Sequence, residues 1–272
     1  MYLAASTYLS SRAFPSTLLS RTPSLLVTPS SYPVLIPGVD SFNHARGQPV
    51  TWGISQLSEC SNHPNSASSI NSSDLCVSLT LNVPASAGAE LFNNYGPKSN
   101  ASFILGYGFA LQDNPDDTIL LKVGSGPSGR EVVDDVKSAT SGSGHEIGRN
   151  AKGADKLWND VRELLSTSYR SQEPETSIEE EHQTAKDLQL DMETTDTLSD
   201  MVSSLLYRFP SLTKDLGSAN VRKEVRMMWE HYVRGQVDIL ESLLAWLEGK
   251  EREAVRRADE LGIDVVGEDT DE

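Results

Sequence analysis

The apolar period changes once along this chain, and that change divides what it can fold into. Up to residue 123 apolar residues come in short runs or alternate with polar ones; from Trp158 onward they recur every three to four residues. Residues 77–83 alternate with period two and predict a half-buried strand. Residues 118–123 predict another, and 25–28 and 32–36 are short β-prone runs separated by a Pro-Ser-Ser turn. Residues 90–94 read as a short strand ending at Tyr95-Gly96-Pro97. Residues 1–14 read as a short helix stopped by Pro15, and 99–110 as a helix running into a loop. Residues 53–74, rich in Ser and Asn, read as a surface loop. Beyond the switch, Trp158, Val161, Leu164, Leu165 and Tyr169 share one helix face. A second helix is expected over 188–206, and a third over 221–247 continuing to 261. The expected fold class is α+β: small sheets first, then an all-helical lobe.

Residues 124–154 carry mostly Gly, Ser and charged groups and predict a linker. The expected organisation is therefore 1–123, a linker over 124–154, and a helical lobe over 155–265. Charge follows the same division. The formal net charge is −16, of which the first 120 residues contribute only −3. So acidic a chain is not built for phosphate backbones, which need an excess of Lys and Arg; a basic protein partner suits it better. No apolar run approaches the roughly 20 residues that span a bilayer. Cys60 and Cys76 show no C-x-x-C spacing, so reduced thiols and a cytoplasmic or nuclear setting are expected. His63 follows Cys60 by three residues, but no further ligands lie nearby and no metal is expected.

Two segments could carry chemistry. In the first, an apolar run ends at Pro37-Gly38 and then presents Asp40, Asn43 and His44. The second runs from Gly88-Ala-Glu90-Leu91 through Tyr95-Gly-Pro-Lys-Ser-Asn100 to Tyr107-Gly-Phe109. Each alone also fits a plain turn with satisfied side chains.

Together, in this order, and with Ser11-Arg12-Ala13-Phe14 upstream, they resemble the second half of the SET domain of protein-lysine methyltransferases. The likeness is to the class of the Rubisco large-subunit methyltransferase. That class carries an Asp-x-x-Asn-His segment, then Gly-Glu-Glu with an apolar residue after it (here Gly88-Ala89-Glu90-Leu91), Tyr-Gly-x-x-Ser-Asn and Tyr-Gly-Phe. The resemblance covers 1–123, and more loosely 155–260 as the family's helical substrate-binding lobe.

The resemblance implies methyl transfer from S-adenosyl-L-methionine to a neutral, aligned lysine amine. It implies a catalytic role for Tyr95, orienting that amine. Arg12, Asn43 and His44 would bind the cofactor, Arg12 through its carboxylate. Phe14, Asp40 and Tyr107 would lie on the substrate side, with aromatic faces tolerating an ammonium. Read from the residues alone, Arg12 also fits a surface arginine at a helix end, and Phe14 and Tyr107 also fit core aromatics. The implied substrate is a basic protein: a ribosomal protein, an elongation factor, cytochrome c or a histone. The family's Gly-containing strand-turn segment, which precedes Ser-Arg-Ala-Phe, has no match here, so an N-terminally incomplete chain is expected. A different reading makes the chain a non-catalytic acidic module that binds a basic protein.

Overall fold

A computed structural model describes residues 2–20, 22–56, 75–123, 144–170, 180–209 and 221–263. The chain forms two compact units: residues 1–98 with 102–108, and residues 99–101 with 109–272.

The first unit is built from paired scraps of strand. Helix α1 (Tyr2–Arg12) runs directly into β1 (Ala13–Pro15), which pairs antiparallel with β2 (Pro33–Leu35), Phe14 opposite Val34. A 3-10 turn (Val39–Ser41) leads into β3 (Asn43–His44). Strand β3 lies parallel to β6 (Phe92–Asn93), His44 beside Asn93. Between them, β4 (Val50–Gln56) and β5 (Leu75–Leu81) form an antiparallel pair. Their register explains why both are strands. Val50, Trp52 and Ile54 meet Leu81, Leu79 and Val77 on one face, while Thr51, Gly53 and Ser55 meet Thr80, Ser78 and Cys76 on the other. Helix α2 (Asn100–Tyr107) follows. Among the described residues of this unit, Leu18 and Phe103 are the fully buried apolar side chains.

Two expectations fail here. Residues 53–56, expected to open a surface loop, complete β4: their polar members form its second face and hide the alternation begun at Val50. Residues 57–74 of that loop, with Cys60 and His63, lie outside the described residues. Residues 25–28 form no strand. The Thr17 hydroxyl donates to the Ser24 carbonyl (2.9 Å) and the Leu26 amide donates to the Ser24 hydroxyl (3.1 Å). Local Ser/Thr bonds thus satisfy the backbone that a ladder would have used, leaving Val27 81% exposed.

The second unit is a helical stack on one hairpin. Strand β7 (Thr118–Lys122) pairs antiparallel with β8 (Gly144–Gly148), Ile119 opposite Ile147. Helices α3 (Ala154–Arg170), α4 (Glu180–Arg208) and α5 (Lys223–Leu261) follow. Leu121, Ile147, Leu157, Val161, Leu198, Val202, Ile239, Leu240, Leu243 and Leu247 form one core. Leu240, Leu243 and Leu247 of the predicted α5 stripe are among them, at helical spacing. Gly262 ends α5 in the left-handed region (φ 66°), its amide capping the Asp259 carbonyl at 3.1 Å. The expected linker over 124–154 is corrected at its end. Residues 144–148 are β8, where His145 and Ile147 point inward and Glu146 outward. Its flanking glycines masked a five-residue strand. Helix α4 begins earlier than expected, because polar residues 180–187 still propagate a helix that Arg162 ties down at Asp187 and Asp191.

A buried polar knot joins β7 to α5 within this unit. Asp117, fully buried, accepts from the Asn100 amide (2.5 Å) and the Asn100 side chain (2.9 Å). Asn100 in turn accepts from the Leu111 amide at 2.8 Å. Arg149 donates to the Asn114 carbonyl (2.8 Å) and pairs with Asp238 of α5 (2.9 Å). Burial raises the Asp117 carboxyl above its ordinary value, against its bonds from Asn100 and the charge of Arg149. A side chain at Gly235 would run into the Asp117 carboxylate, so that position admits only glycine without rearrangement.

Candidate active site

The site in the first unit starts from the short parallel ladder of β3 and β6. The Ala45 amide donates to the Asn93 carbonyl at 2.9 Å, extending that ladder by one bond. It brings the Asp-Ser-Phe-Asn-His turn beside the Asn-Asn-Tyr-Gly segment, which lies some fifty residues downstream in sequence. Tyr95 closes the junction twice. Its amide donates to Nδ1 of His44 (3.0 Å), and its hydroxyl donates to the Phe42 carbonyl (2.7 Å). Because Nδ1 accepts, the neutral imidazole carries its proton on Nε2.

Aromatic rings fill the space around this junction. Ring centroids of His44 and Tyr95 lie 5.1 Å apart, those of His44 and Phe103 4.9 Å, and those of Tyr95 and Tyr107 4.8 Å. Helix α2 supplies Phe103 and Tyr107 from successive turns on one face. Burial pushes the Tyr95 phenol above its ordinary value; Tyr107 adds to the rise, Arg12 opposes it and Asp40 adds again. Burial likewise raises Tyr107. Both phenols therefore stay protonated at neutral pH and act as hydrogen-bonding groups rather than as bases.

The structure gathers Arg12, Asp40, Asn43, His44, Tyr95 and Tyr107 into this unit's junction, but not every one by direct contact. Asn43 turns its amide to Glu90, donating at 2.7 Å. Arg12, at the end of α1, donates from Nη1 to the Asp40 carboxylate at 3.1 Å. Phe14 stands apart from the tyrosines: its ring meets Trp52 of β4 edge-on, with centroids 5.3 Å apart. Three participants escaped sequence reasoning. Glu90 was visible in the Gly-x-Glu piece, but nothing in it named Asn43 as partner. Phe103 looked like an ordinary helix residue. The Phe42 carbonyl is main chain and leaves no trace in residue type.

A crystal structure of the SET domain of LSMT, bound to lysine and AdoHcy, superposes with a TM-score of 0.57 at 20% identity; the match covers 97% of this chain and 60% of that one. The fold is that of a SET domain. In sequence, this SET-fold chain is 37% identical over 127 residues to ribosomal lysine N-methyltransferase set10 of Schizosaccharomyces pombe, covering 47% of this chain and 19% of that protein. Against ribosomal lysine N-methyltransferase 1 of Saccharomyces cerevisiae it is 34% identical over 113 residues, covering 42% and 15%. Against protein-lysine N-methyltransferase EFM1 of the same yeast it is 34% identical over 116 residues, covering 43% and 17%. The chain thus spans less than a fifth of the length of these relatives. No protein-family model matches it.

Arg12 keeps a 54% exposed side chain, and among the described residues only Asp40 accepts from it. Its remaining guanidinium donors fit a carboxylate, for which a planar fork is well matched.

Proposed function

We propose that this chain is part of an S-adenosyl-L-methionine-dependent protein-lysine N-methyltransferase. The observation that carries the reading is the Tyr95 hydroxyl, fixed on the Phe42 carbonyl within the Asn43–His44 turn and flanked by Tyr107. The relatives named as lysine N-methyltransferases support it.

S-adenosyl-L-methionine would supply an electrophilic methyl group on a sulfonium sulfur. The chain's own residues then have separable tasks. Arg12 holds a carboxylate by charge-assisted bonds. The β3 turn, with Asn43 and His44, offers main-chain groups beside it. The Tyr95 hydroxyl spends its proton on Phe42, so its oxygen is left to accept from the N–H of an incoming amine and orient the nitrogen lone pair. The Tyr107 ring walls the approach with an apolar face that tolerates ammonium and methylammonium groups alike. With its pKa raised, Tyr95 positions the amine and does not remove its proton.

The substrate in this reading is a lysine of a basic protein, and a ribosomal protein is favoured by the names of two relatives. The formal charge of −16 suits a basic partner. The test is to incubate the chain with labelled S-adenosyl-L-methionine and purified ribosomal proteins. Methyl-lysine that disappears in Tyr95→Phe supports the reading. Absence of both cofactor binding and methyl transfer refutes it.

A further inference from the structure

Asp40 is held on three sides. One carboxylate oxygen accepts from the Gly38 amide at 3.0 Å, within its own turn. The other accepts from Nη1 of Arg12 at 3.1 Å, and the same nitrogen reaches the Asp40 carbonyl at 3.4 Å. Two residues on, the Phe42 carbonyl receives the Tyr95 hydroxyl. Gly38 adopts φ 91°, the left-handed region that lets the chain double back so that Asp40 can grip its own backbone. The turn that orients Tyr95 and the side chain that anchors Arg12 are thus one rigid piece.

We propose that Asp40 is a positioning residue for Arg12, fixing one guanidinium nitrogen so that the others are aimed at the carboxylate of the methyl donor. The inference rests on the methyltransferase reading and assigns Asp40 a different partner from the substrate lysine. An arginine on a flexible stem loses rotamer entropy when it binds; a carboxylate already gripping one nitrogen removes part of that loss beforehand. The same pair sets the field at Tyr95. Among the described residues, groups that act on that phenol include Tyr107 from α2, His44 from β3, Arg12 from the end of α1 and Asp40 from the 3-10 turn. Among these, Arg12 lowers and Asp40 raises its proton affinity.

The experiment is a double-mutant cycle of Asp40→Asn and Arg12→Gln, with S-adenosylhomocysteine binding measured by calorimetry. Asp40→Asn weakens binding about three- to fivefold, the size expected of a half-exposed ion pair. It has no further effect in the Arg12→Gln background, and Asp40→Glu restores part of the loss. Unchanged or tighter binding in Asp40→Asn overturns the proposal, as does an equal loss in both backgrounds. Failure of the unmutated chain to bind overturns the methyl-donor reading instead. The grip of Asp40 on Arg12 is then read without ligand, from the NMR order of the Arg12 guanidinium. Asp40→Asn loosens that side chain and Asp40→Glu keeps it ordered; an equally ordered Arg12 in Asp40→Asn rejects the role.

Discussion

Nδ1 of His44 and the main-chain amide of Tyr95 share one hydrogen bond of 3.0 Å between residues 51 apart in sequence. It fixes the imidazole tautomer and the start of the Tyr95 turn together, so neither group can be repositioned without the other. Replacing His44 with Ala leaves that amide without its acceptor and removes a ring from Tyr95 and Phe103. The expected loss of stability is about 2–3 kcal/mol, from one unmet donor and the lost aromatic packing. Urea denaturation of the variant measures it; a loss below the noise of the method refutes the tie.

Tyr95→Phe separates chemistry from stability. The variant keeps its ring against His44 and Tyr107 and loses the bond to Phe42. Folding stability should fall by only about 1 kcal/mol, the usual net worth of one hydrogen bond. The transfer rate should fall by about 10²-fold, as when one positioned polar group is removed from a reacting centre. Single-turnover methylation beside thermal unfolding reads the two effects apart.

Alkaline pH should loosen the first unit. Tyr95 and Tyr107 both have folded values raised above the ordinary 10.0, chiefly by burial. Their contribution to stability is fully present below the unfolded value and is lost as pH rises through the folded ones. The urea midpoint should hold steady to about pH 10 and then decline, and Tyr107→Phe should flatten that decline. An unaltered slope in the variant contradicts the burial described for this ring.

In the second unit, the polar knot at Asp117 predicts two costly substitutions. Asp117→Ala strands the amide and side-chain donors of Asn100, at about 2–4 kcal/mol for two unmet groups. Gly235→Ala drives a methyl group into the same carboxylate, at about 1–3 kcal/mol for overpacking. The two share a partner, so the double variant should cost less than the sum. Denaturation followed by helical circular dichroism is the measurement.

The non-catalytic reading makes its own forecast. A purely acidic docking module would bind basic proteins with affinity that falls steeply with salt and would ignore the methyl donor. Calorimetry with S-adenosylhomocysteine decides between them, since heat of binding lost in Arg12→Gln belongs to the enzyme reading alone.

The helices were legible because burial stamps a period on them: the stripe from Leu240 to Leu247 is the same stripe that fills the second core. The pairing of the Asn43–His44 turn with the Tyr95 segment was legible only through the resemblance, since two-residue strands leave no period at all. Strand β8 was illegible for a related reason. Its apolar content is Ile147 alone, between glycines, and what makes it a strand is the partner β7. The ion pair of Arg12 with Asp40 and the grip of Asp117 on Asn100 are likewise decided by tertiary placement. Residue type announced that these groups could pair, never with whom.

The two-residue ladder of β3 and β6 has a kinetic corollary. Everything between its strands, the β4–β5 hairpin included, must be drawn into a closed loop before a handful of backbone bonds can reward the closure. Such contacts come late on a folding pathway and open early. Amide protection at Ala45 and Tyr95 should therefore vanish at denaturant concentrations where the α5 core of the second unit still resists exchange, so the β3–β6 junction opens before that core does.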